Sequence, residues 1–299
     1  MIWVSGLIIG ICLGSLTKAL ADRSLTKRTF WGRSYCEKCK KHLAWYDLFP
    51  VLSYIFLKGK CRYCKSKLSF EYPLSEVLMG LMVAGIFYKY VPLNFLELGW
   101  HDQTLIVSSV LFYCLILVVL AAVFITDFKT GYIPDRITYP SIWISFVYLL
   151  GISMFKVYLI YEALKDSPVG KYLLPPHSNY FYTHAIDLSA PLFSGALMAL
   201  VLGVFFYLLI LITRGKGMGG GDLKLGVFLG LVFGFPYALV VLMLSFLLGS
   251  VFGVGLILAG KKKFGQTIPF GPFLSLAGII SIFWGSQILG WYLSLTLTY

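Results

Sequence analysis

Long apolar runs separated by short polar breaks dominate this chain. They fall at 3–21, 74–93, 104–126, 137–157, 190–213, 222–235, 237–259 and 269–295. A hydrocarbon core about 30 Å thick needs about 20 helical residues. The pattern therefore predicts an all-α polytopic membrane protein with about eight transmembrane helices, the sixth of them short. Pro236 separates the sixth run from the seventh in a tight turn. Alternating ten-residue strands are absent from the pattern, which argues against an outer-membrane barrel. The first run has no small-residue cleavage site and is too long for a signal-peptide core, so it reads as a retained anchor. Lys18, near its end, is expected to snorkel.

The largest polar break, 22–72, divides the chain into a first transmembrane helix (1–21), a soluble loop domain (22–72) and a transmembrane core (73–299). Twelve of the 25 Lys and Arg residues lie in that break. The formal net charge of +12 would suggest a nucleic-acid partner in a soluble protein. Here the charge sits in loops, where it sets orientation and meets anionic lipid, so the bilayer is the expected partner and nucleic acid is not. The loops 22–72, 127–136, 214–224 and 260–268 are basic, whereas 94–103 holds Glu97 and Asp102 with no Lys or Arg. Their alternation predicts a multi-pass protein of the bacterial cytoplasmic membrane, with basic loops inside and both termini outside. A long loop at 158–189, broken by Pro168, Pro175 and Pro176, falls on the outer face.

Four of the six cysteines lie in the loop domain, as Cys36-x-x-Cys39 and Cys61-x-x-Cys64. Two such pairs match a tetrathiolate zinc site, each pair making one knuckle. A module of about 50 residues buries little core, and a metal is a fitting staple. Cys12 and Cys114, inside apolar runs, read as buried packing residues, and His42 as a surface histidine.

The acids carry the chemistry. Gly217-Met218-Gly219-Gly220-Gly221-Asp222 is a glycine-rich turn ending in a carboxylate at the start of an apolar run. Its glycines, Gly219, Gly220 and Gly221 among them, are expected to take positive φ and let a substrate backbone approach. An acid at such a depth is costly and marks function. Asp127 ends the run 104–126 in the same way. Two crossings separate it from Asp222, so the two acids share one face. Two carboxylates brought close share a proton, which equips one as general base and the other as general acid. Glu76 also lies in an apolar run, either as a third functional acid or as a buried structural one paired with a lysine or a backbone amide. Asp135, after Ile133-Pro134, reads as a helix cap.

These residues carry a resemblance. Cys36-x-x-Cys39, Trp45-Tyr46-Asp47, Pro50-Val51-Leu52-Ser53, Gly59-Lys60-Cys61-Arg62-x-Cys64, Tyr72-Pro73-x-x-Glu76, Asp127 with Ile133-Pro134-Asp135, Gly219-Gly220-Gly221-Asp222 and Ile268-Pro269-Phe270-Gly271-Pro272 are similar to those of the type IV prepilin leader peptidases, membrane aspartic proteases of the GxGD class. The resemblance implies cleavage of prepilin and pseudopilin leaders after a glycine at the cytoplasmic face, with catalytic roles on Asp127 and Asp222. It further implies N-methylation of the new N-terminus with S-adenosylmethionine, an activity associated with the cysteine loop. Glu37 and Lys18 stand where the family commonly has proline and asparagine. Two rivals share features with this reading: another GxGD intramembrane protease, and a proton- or cation-coupled transporter. The first is disfavoured by Thr126 before Asp127 and by the tetracysteine loop, the second by acids placed at helix ends on one side.

Overall fold

A computed structural model of the chain describes residues 2–26, 29–30, 32–36, 38–215, 218–261, 263 and 268–296. Glu37, Lys216, Gly217 and Lys262 lie outside the described residues. The chain forms two compact units, Met1–Pro134 and Asp135–Tyr299. The first holds α1 (Ile2–Leu25), a 3₁₀ turn at Trp45–Leu48, α2 (Leu52–Phe56), α3 (Glu71–Tyr90) and α4 (Trp100–Thr130). The second holds α5 (Asp135–Asp166), α6 (Tyr180–Ile212), α7 (Gly220–Phe233), α8 (Tyr237–Leu258) and α9 (Gly271–Thr296). No strand occurs among the described residues beyond two isolated bridges in the cysteine loop.

Each of the eight apolar runs is a helix. Six of these helices are long and apolar enough to cross a membrane. The other two are α3, which carries Glu71, Glu76 and Lys89, and α7, whose 14 residues span about 21 Å.

Glycines set how closely the helices approach. Gly6, Gly10 and Gly14 recur every fourth residue on the face of α1 that meets α3. A Cβ on Gly10 would lie 2.7 Å from Gly80 Cα, and one on Gly14 would lie 2.6 Å from Glu76 Cα. This is small-residue packing of the kind that joins helices in lipid, where apolar burial gives little drive. Gly226 and Gly230 do the same for α7 against α6: a Cβ on Gly230 would meet Met198 O at 2.5 Å. The first unit centres on Met79, Val83 and Ile86 of α3 with Ile116, Leu117 and Leu120 of α4, all fully buried. The second centres on Leu202 and Phe206 of α6 with Leu225, Phe228 and Leu229 of α7.

The structure corrects four expectations. The loop at 158–189 is much shorter, because α5 runs on to Asp166 and α6 starts at Tyr180. Nothing in 158–166 breaks a helix, and Pro191 is carried inside α6. The apolar pattern ends where the side chains turn polar, at residues such as His184 and Asp187, and not where the backbone stops being helical. Cys12 is exposed, on the face of α1 opposite its glycines, while Cys114 is buried as expected. Lys18 does not snorkel. It is 3% exposed and held by Asp22 Oδ1 at 2.6 Å and Glu71 Oε2 at 3.4 Å, with the Tyr72 ring 5.0 Å away. Carboxylates within reach stabilise the ammonium where it stands. The fourth correction concerns the glycine turn.

Candidate active site and metal centre

The two cysteine pairs fold into matching knuckles. In the first, Cys36 N–H donates to Lys41 O at 3.0 Å and Lys40 N–H to Cys36 O at 2.9 Å. In the second, Cys61 N–H donates to Ser66 O at 2.8 Å and Lys65 N–H to Cys61 O at 3.0 Å. Lys40 and Lys65 take the same left-handed conformation, with φ of 57° and 55°. The four Sγ atoms lie within 4.8 Å of one another, and Cys36 Sγ is 3.8 Å from Cys64 Sγ. Tetrahedral zinc with bonds of about 2.3 Å sets its sulfurs about 3.8 Å apart, so the cluster fits a tetrathiolate ion. Hydrogen bonding from the Ser66 side chain and backbone holds Cys64 down at about 6. Against the pull of the Lys41 amide, partial desolvation and the Cys36 and Cys64 thiols hold Cys39 up at about 11. Metal binding to such a set releases protons.

Asp47 locks the second knuckle to the chain before it. Its carboxylate accepts from Arg62 Nε at 2.7 Å, Tyr63 OH at 3.4 Å and Ala44 N–H at 3.3 Å. The Arg62 guanidinium also lies 4.9 Å from the Tyr46 ring. The role of Asp47 was legible only as part of Trp45-Tyr46-Asp47; a carboxylate facing an arginine 15 residues later has no local periodic signal.

The two aspartates belong to different units. Asp127 stands in the last turn of α4, 4% exposed. Gly131 sets that position: with φ of 64° it closes the helix in the left-handed conformation and donates its N–H to Asp127 O at 2.8 Å. Thr126, fully buried, donates its hydroxyl to Val123 O at 3.1 Å. Glu71, at the start of α3, pairs with Lys129, and through Lys18 it also ties the end of α4 to α1.

Asp222 is the third residue of α7, 8% exposed. The first turn of a helix is where the backbone dipoles favour an anion. Its N–H donates to Gly219 O at 3.2 Å. Here the expectation of positive φ fails. Gly219 is extended, with φ of −88° and ψ of 158°, and Gly220 and Gly221 are already helical. What these glycines provide is room: a Cβ on Gly219 would find only Gly221 N, at 4.0 Å, and one on Gly220 nothing within 4 Å among the described residues. Two residues on, Lys224 Nζ pairs with Asp135 Oδ1 at 2.6 Å and lies 4.9 Å from the Tyr139 ring. Asp135 thus opens α5 and also ties it to α7, a contact 89 residues long that the sequence pattern did not reveal.

Glu76 is buried and accepts the Val51 N–H at 2.7 Å, joining α3 to the loop just before α2.

The bacterial peptidase A24 N-terminal domain matches residues 8–90, and the type IV leader peptidase family matches residues 178–254. A protein of Aeromonas salmonicida (strain A449) named prepilin leader peptidase/N-methyltransferase is 32% identical over 262 residues, covering 88% of this chain and 75% of that protein. Proteins of the same name from Aeromonas hydrophila and Legionella pneumophila are 30% and 28% identical, covering 75% and 76% of their lengths. The chain belongs to the type IV leader peptidase family. No solved structure matches it. As a member of that family the chain is a peptidase, and the N-terminal match spans most of α1, the cysteine loop and α3. Asp222 lies within the second matched stretch, and Asp127 lies between the two.

Proposed function

We propose that this leader peptidase cuts type IV prepilins and pseudopilins just after the glycine that ends their leader, with Asp127 and Asp222 as the catalytic pair. The carrying observation is that both carboxylates are buried at the ends of apolar helices, the last turn of α4 and the first turn of α7. One carboxylate takes a proton from water as its oxygen attacks the scissile carbonyl carbon. The other, protonated, gives its proton to the carbonyl oxygen. Collapse of the tetrahedral intermediate breaks the C–N bond, the amine leaves with a proton, and the pair returns to one shared proton. The substrate has to be extended to react, since a helix hides its carbonyls in internal hydrogen bonds. The room beside Gly219 and Gly220 suits such a backbone.

Basic residues follow both acids, Lys129 after Asp127 and Lys224 after Asp222, which supports chemistry at the cytoplasmic face of the cytoplasmic membrane with both termini outside. The four cysteines hold structural zinc. The relatives' names support a second activity, in which the sulfonium methyl of S-adenosylmethionine passes to the new, deprotonated α-amine. Among the described residues no strand, glycine loop and helix unit for that nucleotide occurs, so no residue is assigned to it. Mass spectrometry of a co-expressed prepilin N-terminus reads cleavage and methylation together. Full cleavage by Asp127→Asn or Asp222→Asn enzyme would overturn the dyad.

A further inference from the structure

The stretch 45–56 carries a face that no described residue covers. Trp45 is 74% exposed, Leu52 55%, Ile55 62% and Phe56 81%. Leu52, Ile55 and Phe56 share one side of α2 by their spacing of three and four. The Trp45 and Phe49 rings meet edge to face with centroids 5.7 Å apart. Tyr46, Phe49, Leu52, Phe56 and Arg62 line a groove of about 320 Å³. An apolar patch of this extent on an otherwise polar loop marks an interaction surface.

Two observations name the occupant. The first is depth. Val51, immediately before α2, is bonded to Glu76 at 2.7 Å, and Glu76 lies in the second turn of α3 against Gly14 of α1. Beyond Glu76, α3 is uninterruptedly apolar from 77 to 87. The bond therefore pins α2 at the level where α3 passes from polar to apolar surroundings. The second is charge. Lys58, Lys60, Arg62, Lys65 and Lys67 follow α2 directly and are exposed. The whole loop 22–72 holds twelve Lys and Arg against four Asp and Glu. Aromatic and aliphatic side chains at a polar boundary, followed at once by exposed lysines, match the interfacial layer of an anionic bilayer.

We infer that residues 45–56 insert into the headgroup layer, so that the four-cysteine loop is laid on the membrane and does not hang free in water. The loop is then held at a fixed depth from two sides, by the Val51–Glu76 bond and by lipid.

The test uses the full-length enzyme in nanodiscs of phosphatidylglycerol and phosphatidylethanolamine. The emission lost on Trp45→Phe isolates Trp45 from the other tryptophans, and Phe56→Trp supplies a second reporter on α2. Lipids brominated about 5–10 Å below the headgroup boundary should quench both signals by about half or more, and aqueous acrylamide should reach neither. Full acrylamide access with no bromine quenching would overturn the inference. So would access that disappears only when a prepilin peptide is added, since the face would then belong to the substrate.

Discussion

Two glycines on one helix should respond oppositely to alanine. Gly220 and Gly230 are both in α7, with helical backbone. At Gly220 a methyl group meets nothing within 4 Å among the described residues. Alanine there loses no packing and sheds the entropy cost of glycine, a gain of about 0.5–1 kcal/mol. At Gly230 the same methyl would lie 2.5 Å from Met198 O and 2.6 Å from Met198 C. Those are backbone atoms of α6, which cannot rotate away, so the helices have to part by about 1 Å at a cost of about 1–3 kcal/mol. The informative measurement pairs thermal unfolding with kcat/KM for a prepilin peptide in nanodiscs. Gly230→Ala should unfold at lower temperature, and its activity should fall with its folded fraction. Gly220→Ala should be at least as stable as wild type yet lose about tenfold or more in kcat/KM, equivalent to about 1.4 kcal/mol, because the methyl group occupies the room proposed for substrate. Full activity of Gly220→Ala would show that the space beside the turn goes unused. A destabilised Gly220→Ala would show that the backbone there has been misread.

Asp127→Asn and Asp222→Asn should each abolish leader cleavage while the protein remains inserted, checked by mass spectrometry of substrate and by membrane fractionation. Elemental analysis should find one zinc per chain, and chelation should open Lys58, Lys60 and Lys65 to trypsin while peptide-bond hydrolysis survives better than loop integrity. The Lys224–Asp135 pair is partly exposed, with side chains 24% and 48% accessible. A double-mutant cycle on thermal unfolding should therefore give it no more than about 1 kcal/mol. Lys18→Met should cost less stability than Asp22→Ala, because the first removes a buried charge while the second leaves one with fewer partners.

How much of this was visible in the sequence depended on what each feature is made of. Long helices announce themselves by apolar runs, and each of the eight runs is helical, whereas the five-residue α2 inside the polar break gives no such signal. Their ends were missed wherever polar residues continue the helix, as in Tyr158–Asp166 and Tyr180–Ser189. The four-cysteine cluster is legible because two knuckles leave a fixed spacing, and the sulfurs converge accordingly. Asp127 and Asp222 stood out because an acid at the edge of an apolar run is rare. The contacts that position them were not legible: Lys129 with Glu71 and Lys224 with Asp135 join residues 58 and 89 positions apart, and no local pattern encodes them. Gly219, Gly220 and Gly221 do not take positive φ; among the described glycines it falls on Gly32, Gly59, Gly131, Gly215, Gly234 and Gly260, of which Gly131 and Gly234 end α4 and α7.

The shortness of α7 bears on how water reaches the acids. Its 14 residues cover about 21 Å, whereas the hydrocarbon core is about 30 Å thick. At least one end of α7 therefore stands at apolar depth if the helix lies within the bilayer. Non-helical backbone is tolerated there only when protein packs on it or when it lines a wet cavity. The Gly234 end is of the first kind, since a Cβ on Gly234 would lie 2.7 Å from Ser194 Oγ of α6. At the Gly219 end the backbone is extended, and a Cβ on Gly219 or Gly220 would meet little or nothing within 4 Å among the described residues. Hydrolysis needs water and an unwound substrate at one place. If Asp222 is catalytic as proposed, a short helix packed tightly at one end and open at the other, with that carboxylate the third residue of the helix, would suit both needs.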